Sequence, residues 1–235
     1  MGFVVKNTTK FTVLDLIAPH SCRGCGRLGA VVCECCKNNI LDAAGQICPL
    51  CKETVDTSAE KCQNCVLPCR EIFAAVKRTG WLGHLIGEYK MQSVRAAKGI
   101  LVEILDKVLE QSSLLRASRP VVIVPLPTIR KHVRERGLDH TLAVAKGLAA
   151  RRGYKVQKLL GRSRDSVQVG SSKAQRKTQA KTAYELLTAP DLTVNYLLLD
   201  DIWTTGASML SVIELLAAAG VPRERIFGAV IAVSE

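Results

Sequence analysis

Short, nearly continuous apolar runs recur along the chain after residue 70, and each is bounded by charged or turn-forming residues. They cover residues 72–76, 121–124, 194–199 and 226–233. Such runs are too short for helices, and they lack the regular polar alternation of a strand that has one face in water. We therefore predict strands of a parallel sheet that is covered on both sides.

Segments with helical spacing lie between these strands. Apolar side chains recur at intervals of three and four over residues 93–110, and a second such segment starts at Leu138 and stops before Gly153. A third follows Gly206 and stops at Gly220, with Pro222 beyond it. Residues 80–87 are glycine-rich and are predicted to hold two turns. The alternation of strands and helices predicts an α/β domain over residues 71–235.

Basic and polar residues interrupt this pattern. Residues 161–182 have no apolar periodicity and are predicted to form a long mobile loop of the kind that closes over ligands. Ten Lys or Arg and one Asp lie within residues 151–181, a local excess of +9 in a chain of net charge +12. Such a run is typical of a solvated face, and it equally suits a pyrophosphate or a nucleic-acid backbone.

Composition sets the broad class of the protein. Hydrophobic residues make up 48% of 235 residues, which suits one core of ordinary size and a small additional module. No apolar run approaches the roughly 20 residues of a membrane span, and the first residues lack the apolar stretch of a secretory signal. We expect a soluble, cytoplasmic protein.

The most informative chemistry follows the third apolar run. Asp200 and Asp201 come where that strand is predicted to end, and a hydroxyl-rich turn at residues 204–208 leads into the next helix. Ligands of open α/β sheets bind at the carboxyl ends of the strands. Amides and hydroxyls near a helix amino terminus suit a phosphate, and two ionised carboxylates suit the neighbouring hydroxyls of a ribose. The alternative is an ordinary strand-to-helix turn with an acidic cap.

All ten cysteines lie between Cys22 and Cys69, and eight of them form four CxxC pairs. Two CxxC turns present four thiolates to one tetrahedral ion, which completes a closed structural zinc site. Eight thiolates suit two zinc ions, preferably with the first pair joined to the second and the third to the fourth. A crossed arrangement and four independent redox motifs are the alternatives. The predicted ligands are Cys22, Cys25, Cys33, Cys36, Cys48, Cys51, Cys62 and Cys65.

Two cysteines are left over. Cys35 could replace Cys33 or Cys36 as a ligand, whereas Cys69 is predicted not to bind metal. The cysteine-rich segment has few large apolar side chains, so bound zinc would supply the folding free energy that a core cannot. Residues 1–70 are therefore predicted to be an amino-terminal segment with a short amphipathic helix, followed by a double zinc ribbon.

Several motifs together resemble those of known families. Residues 200–206, DDIWTTG, follow an apolar strand and resemble the motif with which type I phosphoribosyltransferases bind 5-phosphoribosyl 1-pyrophosphate (PRPP). With the CxxC pairs, VPLP at residues 124–127 and RERGLDH at residues 134–140, the chain resembles the ComF/ComFC competence proteins over residues 22–235. That family usually carries RxRGFNQ in the second motif, of which this chain keeps Arg134, Arg136 and Gly137.

The resemblance implies a type I phosphoribosyltransferase fold, a parallel sheet flanked by helices, preceded by a double zinc ribbon. It implies that PRPP or a related sugar phosphate binds together with Mg²⁺. Asp200 and Asp201 would contact the ribose and would be the catalytic pair of a phosphoribosyltransferase. The implied PRPP-binding residues are Asp200, Asp201, Thr204, Thr205, Gly206, Ala207 and Ser208. Candidates for the pyrophosphate side and the lid are Arg134, Arg136, Lys173 and Arg176.

The resemblance also implies a role in DNA uptake during natural transformation, at the inner face of the membrane through partners, with single-stranded DNA bound. Two other hypotheses stay open beside that of an enzyme. One is a single-stranded-DNA-binding competence factor whose PRPP pocket is regulatory. The other is a zinc-stabilised scaffold that docks a helicase-like partner. No residue stands out as the general base for an acceptor, so the sequence does not decide whether phosphoribosyl transfer occurs.

Overall fold

A computed structural model describes residues 20–56, 59, 62–92, 97–129, 133–135, 137–162 and 183–234. Its strands are β1 (Glu71–Lys77), β2 (Val121–Pro125), β3 (Lys155–Val156), β4 (Leu160–Arg162), β5 (Tyr184–Leu186), β6 (Asn195–Trp203) and β7 (Ile226–Val233). Five of them form a parallel sheet in the order β1-β7-β6-β2-β3. The other two, β4 and β5, form a separate antiparallel pair.

Helices connect the strands of the sheet. They are α1 (Glu34–Ala43), α2 (Gly80–Gln92), α3 (Ala97–Leu109), α4 (His140–Arg152) and α5 (Ala207–Ala218). The Asp139 carboxylate caps α4 by accepting a hydrogen bond from the amide of Leu142, and Gly153 ends it in the left-handed conformation, at φ 70°. No helix among the described residues has the length and apolarity that a membrane crossing requires.

The predicted parallel sheet flanked by helices is confirmed, and both of its faces are buried. Side chains of β6 alternate between two cores, as the period of a strand requires. Leu197 and Leu199 pack in the core beneath α2, α3 and α4, whereas Tyr196 and Leu198 pack in the core that α5 covers. All eight residues of β7 are buried, which explains why its bounds match the predicted apolar run.

The prediction of turns at residues 80–87 is wrong, because this segment belongs to α2. Four buried side chains lie at helical spacing along it, at Leu82, Leu85, Ile86 and Tyr89. Burying such a side chain stabilises the fold by about 1.5–3 kcal/mol, which outweighs the roughly 1 kcal/mol that each interior glycine costs a helix. Only Gly80, the first residue of α2, has a positive φ in this segment.

Other boundaries also differ from those predicted. The strand β6 continues through both aspartates to Trp203, because β7 supplies pairing partners as far as Val233. The helix α4 begins at His140 rather than at Leu138, and residues 161–162 belong to β4 rather than to a loop. The rest of the predicted loop, the first turn of the helix predicted at residues 93–110, and residues 1–19 lie outside the described residues.

The cysteine-rich segment contacts the sheet through backbone and side chains. Ile47 and Ala74 of β1 exchange two hydrogen bonds, at 2.8 and 2.9 Å, as an isolated antiparallel bridge. Val31, Ile40 and Ala44 pack in the same core as α3 and α4. Residues on both sides of the predicted boundary at residue 70 therefore share buried contacts.

A buried carboxylate lies at this junction. Glu71, the first residue of β1, is 1% exposed and accepts hydrogen bonds from Gln46 Nε2 at 2.7 Å and Ser112 Oγ at 3.0 Å. It also accepts two from Ser113, through the amide at 3.1 Å and Oγ at 2.8 Å. Burial raises the pKa of Glu71, and these hydrogen bonds oppose the rise. One carboxylate thus joins the cysteine-rich segment, β1 and the 3₁₀ turn Ser113–Arg116.

We predict that Glu71→Leu destabilises the protein by at least about 4 kcal/mol, since it leaves four donors without their acceptor at roughly 1–3 kcal/mol each. Glu71→Gln retains one acceptor oxygen and should cost about half as much. Urea unfolding at neutral pH would measure both. Glu224→Leu, at an exposed acid, is the control and should change the free energy of unfolding by less than about 0.5 kcal/mol. Equal effects of the Leu substitutions at residues 71 and 224 would contradict the assigned role.

Candidate functional site

Eight cysteines form two groups of four thiols. Within each group, the sulfur atoms all lie within 4.8 Å of one another. The Sγ atoms of Cys25 and Cys33 are 3.6 Å apart, and those of Cys51 and Cys62 are 3.7 Å apart. Two sulfurs bound at about 2.3 Å to one tetrahedral zinc lie about 3.8 Å apart, so this spacing fits zinc. The groups are Cys22, Cys25, Cys33 and Cys36, and Cys48, Cys51, Cys62 and Cys65.

The preferred pairing, first CxxC with second and third with fourth, is therefore confirmed. The two groups share a turn geometry, because the amides of Gly26 and Lys52 donate to the carbonyls of Cys22 and Cys48, at 2.8 and 2.7 Å. Both of these residues follow the second cysteine of a pair and have positive φ, 76° and 64°. A positive φ suits glycine. Among the described residues, Lys52 is the only non-glycine residue with a positive φ.

The two remaining cysteines lie apart from the groups. Cys35 is exposed, and Cys33 and Cys36 on either side of it are the ones that join the first group. Cys69 is buried, its thiol donates to the carbonyl of Glu71 at 3.4 Å, and burial raises its pKa to about 12. A thiol in that environment stays protonated, so Cys69 acts as a packing residue.

A second candidate site lies at the carboxyl end of β6. Because successive side chains of a strand point to opposite faces, Asp200 and Asp201 do not share one direction. Asp201 forms an ion pair with Lys90 of α2, Oδ2 to Nζ 2.5 Å, and its amide donates to Asp200 Oδ1 at 2.8 Å. Asp200 lines a small cavity with Tyr89, Lys90 and His140, and it also lines the pocket of the following turn.

The environment of Asp200 changes its protonation. Burial raises the pKa of Asp200 to about 7, and the adjacent charge of Asp201 contributes to the rise. The positive charges of Lys90 and Arg162 oppose it. Arg162 is held in place by a hydrogen bond to the carbonyl of Pro127 at 3.0 Å and by the ring of Tyr184, 5.1 Å away. Asp200 is therefore poised to gain or lose a proton near neutral pH.

The turn after β6 has the form of an anion site. Thr204 and Thr205 are exposed, and Gly206 has φ 73°, the left-handed conformation that glycine tolerates. A Cβ atom at residue 206 would overlap the buried indole of Trp203, so both the backbone and the packing require glycine. Gly206 has no side chain with which to cap α5, and the amide of Ala207 donates instead to Thr205 Oγ1 at 3.4 Å. The amino terminus of the helix, with its hydroxyls, thus faces the pocket. Residues 204–208 all line the pocket beside Asp200.

Of the predicted pyrophosphate-side residues, the structure describes Arg134 alone. Arg134 is exposed and lines a different cavity, with Thr128, Asp139 and Lys158. Arg136, Lys173 and Arg176 lie outside the described residues. The described cations nearest the aspartates are Lys90 and Arg162. Lys90 and Arg162 do not belong to a recognisable sequence motif. They come close to the aspartates because α2 and β4 pack near the carboxyl end of β6.

Two comparisons with known proteins gave no relative. No protein-family model matches the chain, and no curated protein matches it either. The functional proposal therefore rests on the geometry of the two sites and on the motifs of the sequence.

We predict that Cys48→Ser lowers bound zinc from two ions per chain to one, because Cys48 is fully buried within the second group. Structural zinc contributes folding free energy, so this variant should also unfold at a lower temperature. Cys35→Ser is the matched control and should keep both ions. Metal analysis of the purified proteins would measure the number of zinc ions per chain. Loss of an ion from Cys35→Ser would contradict the assigned ligands.

We also predict that Gly206→Ala disrupts the turn after β6. The left-handed conformation costs a residue with a Cβ roughly 1–2 kcal/mol, and the overlap with Trp203 adds to it. Gly87→Ala is the matched control, since residue 87 lies in α2 with open space around it and alanine favours helices. Thermal unfolding and tryptophan fluorescence should show loss of stability and a changed indole environment for Gly206→Ala alone.

Proposed function

We propose that this chain is a ComF-like protein of the type I phosphoribosyltransferase fold, which binds PRPP or a related sugar phosphate with Mg²⁺ and serves DNA uptake. The observation that carries the proposal is the carboxyl end of β6. There an aspartate with a pKa near 7 lies beside a hydroxyl-rich helix amino terminus. A carboxylate next to an anion site matches a ligand that joins a polyol to a phosphate.

Each group at this site has a separate task in the proposal. Asp200, when ionised, accepts hydrogen bonds from the ribose hydroxyls. Lys90 holds Asp201 in its ion pair, and its remaining N–H groups can donate to an anionic oxygen of the ligand. The amides and hydroxyls of residues 204–208 bind the 5′-phosphate, and the missing Cβ at residue 206 keeps the turn in place.

The donor set also fits Mg²⁺. Hard oxygen ligands suit this ion, which usually keeps several waters and reaches the protein through one or two carboxylates and the phosphates of the substrate. Asp200 and Asp201 are the described carboxylates that could hold it or its waters. When bound, Mg²⁺ would neutralise the charge of the pyrophosphate.

Phosphoribosyl transfer is the reaction that such a site would support. Loss of pyrophosphate leaves positive charge on the ribose ring, and an ionised Asp200 beneath the ring would stabilise it. Lys90 and Arg162 keep Asp200 ionised to a lower pH than burial alone would allow. Binding is the primary proposal, because the described residues include no general base for an acceptor.

The role in DNA uptake rests on the resemblance of the motifs to ComF/ComFC proteins. The basic residues that would contact a nucleic-acid backbone lie mostly within residues 163–182, outside the described part of the chain. The proposal therefore depends on the site at β6, and single-stranded DNA binding stays a hypothesis from the sequence.

We predict that PRPP with Mg²⁺ binds the wild type and that Asp200→Ala with Asp201→Ala abolishes binding. Titration calorimetry would measure both, and equal heats from the two proteins would refute the site.

We further predict that binding depends on pH in a defined direction. The pKa of Asp200 is raised to about 7, so the carboxylate is ionised above that pH and protonated below it. Affinity should therefore fall about tenfold from pH 8 to pH 6, one pKa unit on either side. Asp200→Asn removes this titration and leaves only the ionisation of the ligand itself. Lys90→Met should move the midpoint to higher pH; an unmoved midpoint would exclude Lys90 from the site.

A further inference from the structure

The first CxxC turn of the cysteine-rich segment packs against one flank of α2. The backbone at Gly24 approaches the indole of Trp81 so closely that a Cβ atom at residue 24 would lie 3.1 Å from the ring. Arg23, the preceding residue, donates from Nε to Glu88 Oε2 at 2.7 Å. Trp81 and Glu88 lie about two helical turns apart and share one flank of the helix. The turn therefore contacts α2 at two points.

The opposite flank of α2 carries a cation of the candidate site. Lys90 lies two positions after Glu88, about 200° further around the helix. Its Nζ pairs with Asp201 Oδ2 at 2.5 Å. Between the two flanks, Leu85 and Ile86 pack in the core against the sheet. One helix thus contacts the cysteine-rich segment with Glu88 and the end of β6 with Lys90.

The position of α2 depends on such contacts because the helix is intrinsically weak. Gly83 and Gly87 lie in its interior, and glycine loses more conformational freedom on folding than any other residue. Helices of low propensity are stabilised mainly by tertiary packing. Lys90 lies in the last turn of α2. The contact of Glu88 with Arg23 is therefore well placed to hold the end of the helix that carries Lys90.

Arg23 is itself held by the closure of the first thiol group. Its amide donates to the carbonyl of Val31 at 2.9 Å, and the amide of Cys22 donates to the carbonyl of Arg27 at 2.8 Å. Cys22 and Cys25, which flank this turn, both belong to the first group. Zinc bound by that group would hold the turn closed, because a structural metal site couples its ligands to the folded backbone. The first thiol group thus fixes the residue that contacts α2.

We propose that Arg23 and Glu88 are positioning residues for Lys90, through which the first thiol group acts on the site at β6. Loss of their contact would let the end of α2 shift and would weaken the pairing of Lys90 with Asp201. The Arg23 and Glu88 side chains are 36% and 26% exposed, and ion pairs of such exposure contribute modestly. The position of Lys90 is a property of the ligand-free protein, and only the effect on affinity rests on the function proposed above.

The test measures how fast acetic anhydride acetylates Lys90 in the ligand-free, zinc-loaded full chain, by mass spectrometry of its peptides. Only a deprotonated amine reacts, so the ion pair with Asp201 protects Lys90. Arg23→Glu should accelerate the reaction about three- to fivefold by opening that pair. By charge alone, an added anion would favour the protonated amine and slow the reaction, so acceleration reports a changed position of Lys90.

Three comparisons complete the experiment. Glu88→Arg combined with Arg23→Glu reverses the charges of the pair and should return the rate at Lys90 to that of the wild type. Arg27→Glu makes the same charge change at an exposed residue of the same loop and should leave the rate unaltered. Lys107 of α3, which also forms an ion pair, is the internal control and should react equally in every variant.

An unchanged rate at Lys90 in Arg23→Glu, or no recovery in the double variant, would overturn the proposal. Glu88→Gln removes the pair without adding a charge, should accelerate acetylation about twofold, and decides the question if Arg23→Glu does not retain both zinc ions. Calorimetric titration with PRPP and Mg²⁺ should show a parallel loss of affinity in Arg23→Glu, and unchanged affinity would overturn the action on the site. Absence of PRPP binding to the wild type would instead refute the proposed function and leave the acetylation result standing.

Discussion

Burial of β6 on both faces is the constraint on which the rest of the structure depends. Its side chains alternate between two cores, so a slip of one residue in its pairing with β7 would exchange the two sets. The same register decides where the aspartates emerge, because Leu199 opposite Ala229 is the last fully apolar position before Asp200. The buried residues of β6 therefore determine the positions of the two carboxylates. Asp201 meets Lys90 of α2, and Asp200 faces the turn after the strand.

Placing two carboxylates at the end of a buried strand has an electrostatic cost, and the surrounding helices reduce it. Asp201 is compensated by Lys90, which approaches from α2. No cation among the described residues forms an ion pair with Asp200, and burial raises its pKa instead. The two acids therefore differ: Asp201 forms an ion pair with Lys90, and Asp200 titrates near neutral pH. A ligand that carries a cation or hydroxyl groups can compensate the charge of the Asp200 carboxylate or donate hydrogen bonds to it.

Features encoded in contiguous residues could be predicted from the sequence, and features that depend on distant packing could not. The two groups of four thiols follow from CxxC spacing, and β7 follows from an unbroken apolar run. Within α2, the glycines suggested turns, although the spacing of Leu82, Leu85, Ile86 and Tyr89 indicated a helix. The contact of Lys90 with Asp201 joins residues more than 100 positions apart and has no local signal. The extension of β6 to Trp203 likewise depends on a partner strand that lies later in the chain.

The bridge between Ile47 and Ala74 has a consequence for solubility. In the five-stranded sheet the outer strands are β3, with only two residues, and β1, with seven. An unpaired strand of that length and apolarity is a template for association with other chains. Ile47, one residue before Cys48 of the second thiol group, occupies part of this edge. Zinc bound in the second group would therefore reduce aggregation, because without zinc the segment that covers the edge of β1 would be released.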